Sequence, residues 1–203
     1  MKNEQRRIDR AFSRAAGFCD LKKDFENWEH FDLYRHAERT LRYGVLYQSH
    51  MHGAGHIERV MLLGAMIAMK QNFSAADTVL LLDICAYHDT GRIDDTKDDD
   101  HGARSADNAA AITGRRGEEL AIVRAAMCAH SVSDKIRSRM FEKCHVTDTA
   151  SADRMTDALK DADALDRVRL GDLDVRYLRT DAARGLTDFA QALYDAYIAE
   201  EET

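Results

Sequence analysis

Along most of this chain apolar residues recur every three or four positions, the period of a helix with one buried face. The pattern predicts helices over about 3–15 and 21–43, another starting near Gly55, then about 75–89, 101–113, 118–130, 152–170 and 186–200. A short basic helix and a polar loop are expected within 131–150. Phe25, Trp28, Phe31 and Tyr34 form an aromatic stripe on the second helix, with Leu33, Leu41 and Tyr43 nearby. Such a stripe predicts helix packing first and a ligand-stacking face second, and these aromatic N-terminal helices could also form a homodimer face. Ser74 has the chemistry of an N-cap, with Asp77 placed to favour the helix dipole. Gly91 and Gly114 mark stops. The last helix presents Leu186, Phe189, Leu193, Tyr197 and Ile198 as a closing layer. No internal repeat or composition break divides the chain, so a single all-α domain over 1–203 is expected.

The absence of proline strengthens that expectation, because proline breaks helix interiors and marks turns. With 45% hydrophobic and 32% charged residues in 203, the chain has the composition of a globular protein able to bury a core. Its formal charge of −7 argues against bulk nucleic-acid binding, which needs a basic footprint. A small phosphorylated substrate in a local cationic pocket is still compatible. Lys135, Arg137, Arg139 and Lys143 make one basic cluster, read as a solvated face. Cys19, Cys85, Cys128 and Cys144 lack a CxxC spacing and read as reduced thiols. The first residues contain no apolar segment of a secretory signal. Val60 to Met69, the longest greasy segment, falls far short of the roughly 20 residues a membrane span needs. A cytoplasmic protein without membrane association is expected.

Several apolar faces end on a polar residue. His56 shares a stripe with Val60, Leu63 and Ile67; His88 follows Leu81, Ile84 and Cys85; His130 follows Ile122 and Ala126. Asp89 stands beside His88, and Asp163 and Asp166 interrupt the stripe of Leu159 and Leu170. A single histidine on such a face is commonly a satisfied core residue. Four faces ending in imidazole or carboxylate need partners, because burying these groups unpaired is costly. A divalent metal held by ligands projecting inward from facing helices meets that need. His30 and His36 read as surface histidines, His50 and His52 as loop residues and not as ligands. The run Asp94, Asp95, Asp98, Asp99 and Asp100 reads as a solvated loop that could also favour cations.

The ordered segments HIERV (56–60), HDTGR (88–92), HGARSA (101–106), AHS (129–131) and DADALD (161–166) resemble the HD-domain metal-dependent phosphohydrolases. The resemblance covers about residues 50–170, leaving N-terminal helices over 1–48 and a C-terminal packing helix within 171–203. It implies an all-α bundle with a metal site between core helices. His56, His88, Asp89 and Asp163 match the family's metal ligands. Asp161 and Asp166 are expected to form salt bridges or to orient ligands from behind, with Arg59 as the partner of Asp166. His101 and His130 match positions that bind a second ion, contact phosphate or assist proton transfer. Arg92 departs from the lysine common after HD-x-G and is either a phosphate ligand or a structural ion pair. The implied cofactor is one or two divalent ions (Mn, Fe, Co, Ni or Mg), and the implied substrate a nucleotide-like phosphomonoester or phosphodiester. Alternatives within the resemblance are a non-catalytic metal- and nucleotide-binding sensor and a metal-dependent oxygenase.

Overall fold

A computed structural model describes residues 6–200, and within them the chain is eleven α-helices joined by turns and short 3-10 segments, with no strand. The helices are α1 (Arg7–Arg14), α2 (Cys19–Glu26), α3 (Phe31–Thr40), α4 (Ala54–Lys70), α5 (Ala75–Tyr87), α6 (His101–Thr113), α7 (Gly117–His130), α8 (Arg137–Lys143), α9 (Thr149–Leu165), α10 (Asp181–Arg184) and α11 (Thr187–Ala199). Among the described residues no helix is long and apolar enough to cross a membrane.

α4 is apolar on nearly every side and is buried from His56 to Ala68, the behaviour of a helix at the centre of a bundle. It packs against α5 and α9, α7 packs on α9, and α6 lies along α7. α1 and α11 pair and close the end of the bundle nearest the start of α4. Ser74 caps α5 by accepting the Asp77 backbone N–H at 3.2 Å.

Two boundaries differ from the sequence pattern. Residues 3–5 of the first expected helix lie outside the described residues. The expected helix over 21–43 is two helices, because residues 27–30 turn the chain between α2 and α3. That turn folds the rings back on one another: Phe25 is buried and stands 5.3 Å from Phe31 and 5.4 Å from Tyr34, ring centre to ring centre. Phe12 of α1 meets both Phe25 and Phe189 of α11 edge-on. Burying Phe25 and Tyr34 inside the chain takes them out of the dimer face that the stripe suggests. The expected helix over 152–170 stops at Leu165 and tightens into a 3-10 segment over Asp166–Leu170. Leu170 therefore leaves the inner stripe and is 40% exposed.

Two glycines set how close the central helices come. A Cβ on Gly91 would lie 2.4 Å from the His101 carbonyl oxygen and the Ser105 nitrogen. One on Gly102 would lie 2.3 Å from the Met127 carbonyl oxygen. Only glycine admits these approaches, which bring the start of α6 against the turn after α5 and the end of α7.

Candidate metal centre

The chemistry-bearing side chains sit at helix ends. His56 is in the first turn of α4, His88 caps the end of α5, His101 begins α6, His130 ends α7, and Asp163 lies in the last turn of α9. Carbonyls in the last turn of a helix have no partner within it. His88 Nδ1 donates to one, Cys85 O, at 2.9 Å, and His130 Nδ1 to another, Met127 O, at 2.6 Å. His101 Nδ1 donates likewise to the carbonyl three residues before it, Asp98 O. His56 Nδ1 donates to Asp166 Oδ2 at 2.8 Å. Arg59 and the His56 imidazole outweigh burial and hold Asp166 ionised, below the usual carboxylate range.

With all four Nδ1 atoms committed to acceptors, each ring turns its Nε2 inward. His56 Nε2 and His88 Nε2 lie 3.3 Å apart, and His101 Nε2 and His130 Nε2 lie 2.8 Å apart. Asp163 Oδ1 is 3.3 Å from His56 Nε2 and 4.0 Å from His88 Nε2. Asp89 divides the donors into two sets. Its Oδ2 faces His56 and His88 at 3.7 and 3.8 Å, and its Oδ1 faces His101 and His130 at 3.1 and 3.6 Å.

Acceptors facing acceptors repel unless a cation lies between them. Asp89 Oδ1 is buried, has no hydrogen-bond partner and faces His101 Nε2 at 3.1 Å. Ligands about 2.1 Å from one ion are roughly 3.4 Å apart in a tetrahedral arrangement, so the observed separations suit coordination. His56, His88 and Asp163 form one group able to hold an ion, and His88, Asp89 and His130 another. The residues present fit a divalent metal.

The sequence placed Asp166 and Arg59 behind the ligands. They pair in two contacts, Arg59 Nε to Oδ1 at 2.6 Å and Nη2 to Oδ2 at 3.0 Å. Asp161 takes the salt-bridge role: it pairs with Arg179 at 3.5 Å and accepts the backbone N–H groups of Arg179 and Thr180, each at 2.8 Å, which fixes the segment before α10. Arg92 Nε donates to Asp89 Oδ2 at 2.9 Å, so this guanidinium is engaged by a candidate ligand. Arg137 of the basic cluster pairs with Asp153 and Asp157 across to α9.

Two pairings near the centre are not visible in the sequence. His52 is buried, its ring 5.8 Å from that of His56, and its Nδ1 meets Asp95 Oδ1 at 2.9 Å. Asp95 also accepts from Ser49 Oγ, which ties the acidic loop to the start of α4. The four-residue step from His52 to His56 was the available signal. Lys160 donates to the carbonyls of Ala129 and Val132 and pairs with Asp134 at 2.7 Å, clamping the His130 end of α7 to α9. Nothing in its surrounding sequence marks it.

The centre opens through a cleft of about 380 Å³ lined by His130, Asp163, Lys160, Arg167, Tyr177 and Arg179. A larger cavity of about 670 Å³ lies among α1, α2 and α3, away from every candidate ligand.

Burial draws His130 down to about 4. The fold thus keeps this ring neutral where an unfolded imidazole, near 6.5, would take a proton. Between those values the unfolded state binds more protons, so falling pH favours unfolding. Metal-free protein is expected to lose about 3 kcal/mol between pH 7.5 and 4 from this group alone. Urea titrations across that range check it, and a midpoint that holds steady or rises toward acid contradicts it.

Comparison with family models, with curated proteins and with solved structures gives no match to this chain. The described residues define an all-α bundle with a histidine- and aspartate-lined centre suited to metal.

Proposed function

We propose that the chain is an HD-domain-type metal-dependent phosphohydrolase acting on a nucleotide-like phosphate ester. The observation that carries this reading is the convergence of four Nε2 lone pairs on the two oxygens of Asp89, with Asp163 completing one set. His56, His88, Asp89 and Asp163 would hold one divalent ion; Asp89 with His101 and His130 offers room for a second. Nitrogen and oxygen donors without thiolate suit Mn, Fe, Co, Ni or Mg. An ion bound there supplies a polarising charge for a phosphoryl oxygen and lowers the pKa of a bound water.

The protein's own groups do the rest. Arg92 fixes the Asp89 carboxylate, which favours its ion-pair role over direct phosphate binding. Asp166 and the backbone carbonyls hold the imidazoles by their Nδ1 protons and leave Nε2 aimed inward, the arrangement that orients metal-binding histidines. Arg167 pairs with Asp172 at an exposed position beside the cleft, and such a pair is readily exchanged for a phosphate partner. Tyr177, 71% exposed on the same cleft, offers a face on which a base can stack.

The test is hydrolysis of p-nitrophenyl phosphate, its diester and a nucleotide panel, with Mn, Co, Ni and Mg supplied one at a time. Turnover that stops with chelator and returns with one of these ions is expected. Absence of turnover in every combination overturns the hydrolase, and nucleotide binding without turnover would favour a sensor.

A further inference from the structure

Two of the four cysteines face each other. Cys128 lies in the last turn of α7 and Cys144 at the C-cap of α8, both buried, and their Sγ atoms are 4.0 Å apart across 16 residues of chain. Neither thiol belongs to the candidate metal groups. The other two cysteines stand in different settings. Cys19 is exposed on α2, and Cys85 is sealed in α5, where burial pushes its thiol up and makes it inert.

The surroundings of the pair are cationic. Arg124 lies one turn before Cys128 on α7, and Lys143 stands next to Cys144. Arg124 Nε is buried without a hydrogen-bond partner, while its Nη2 reaches the exposed carboxylate of Asp107 at 3.3 Å. A hydrogen bond from Cys128, helped by the charges of Arg124 and Lys143, outweighs burial and draws the Cys144 thiol down to about 7. The thiolate is the nucleophilic form, so Cys144 is the reactive member of the pair near neutral pH.

We propose that Cys128 and Cys144 are a reversible oxidation site that closes into a disulfide on reaction with a peroxide. The Cys144 thiolate attacks one peroxide oxygen and the O–O bond breaks. The second oxygen leaves as hydroxide and takes up a proton to become water, while Cys144 becomes a sulfenic acid. The Cys128 sulfur then attacks the Cys144 sulfur, the S–O bond breaks, and hydroxide leaves with the Cys128 proton as a second water. Two electrons pass from the thiols to the peroxide. Closure shortens the sulfur separation from 4.0 Å to about 2.05 Å. That movement falls to the Cys144 side, because α8 has seven residues with Phe141 alone buried, whereas α7 is buried from Ala125 to Ala129. The bridge ties α8 to the turn of α7 that ends in His130. The site stands whether or not the metal centre hydrolyses phosphate esters.

Treatment of the full, folded chain with hydrogen peroxide tests it, followed by unfolding, alkylation, digestion and mass spectrometry of wild type, Cys144→Ala and Cys19→Ala. In wild type Cys128 and Cys144 are expected to be lost to alkylation together, a peptide pair joined through them to appear, and dithiothreitol to restore both. Cys19→Ala should form the same bridge at the wild-type rate. Cys144→Ala should leave Cys128 reduced, its oxidation slowed about tenfold or more. Three results would overturn the site: a wild type in which both thiols still alkylate after peroxide, Cys144 carried to sulfinic acid without a bridge, or a bridge from either residue to Cys19. The wild-type map decides alone should Cys144→Ala not fold.

Discussion

Asp89→Asn is expected to empty the centre of metal while leaving the fold standing. Asp89 faces both donor sets, through Oδ2 toward His56 and His88 and through Oδ1 toward His101 and His130. Asparagine keeps the shape and one acceptor, so Arg92 retains a partner. Its amide N–H groups point at Nε2 lone pairs and satisfy by hydrogen bonding what a cation would satisfy by coordination. Removing groups behind metal ligands commonly costs 10- to 100-fold in affinity, so loss of a carboxylate shared by both sets should cost more than about 100-fold. Hydrolysis of any active substrate should fall with it. Elemental analysis of protein purified without chelator, beside a thermal melt, separates loss of metal from loss of fold. Equal metal content in wild type and Asp89→Asn would remove Asp89 from the centre.

The helices and their apolar faces were legible because burial imposes a period, and the period survives in the residues. The same logic singled out the candidate site: His56, His88, His130 and Asp163 stand out as polar groups on faces that bury. Where the helices break was less legible. The aromatic spacing runs unbroken through residues 27–30, since Trp28 and Phe31 pack just as well from either side of a turn. The shift to 3-10 geometry after Leu165 is likewise invisible to periodicity, which is why Leu170 was misplaced. His52 with Asp95 and Lys160 with Asp134 were missed for another reason. Their partners lie 43 and 26 residues away, and only tertiary packing brings them together.

Asp166→Ala is expected to cost most in stability, for the opposite reason to Asp89→Asn. Asp166 sits at the C-cap of α9, 1% exposed, and one carboxylate there receives Arg59, Arg169 and the Nδ1 proton of His56. Its removal strands two buried guanidiniums and frees a ring that must otherwise keep its Nε2 aimed inward. Breaking a buried pair by deleting one partner typically costs 3–5 kcal/mol, about 6–20 °C of melting temperature for a chain of this length. Chemical denaturation of Asp166→Ala without metal isolates that loss, since metal cannot then contribute to the difference. A change below about 1 kcal/mol would mean that solvent already reaches the arginines. Asp166→Asn refines the result. It keeps an acceptor for Arg59 but gives up the charge, so it should recover part of the stability while the Nδ1 proton of His56 is held more weakly. Metal affinity should then fall about 10- to 100-fold in protein that still folds.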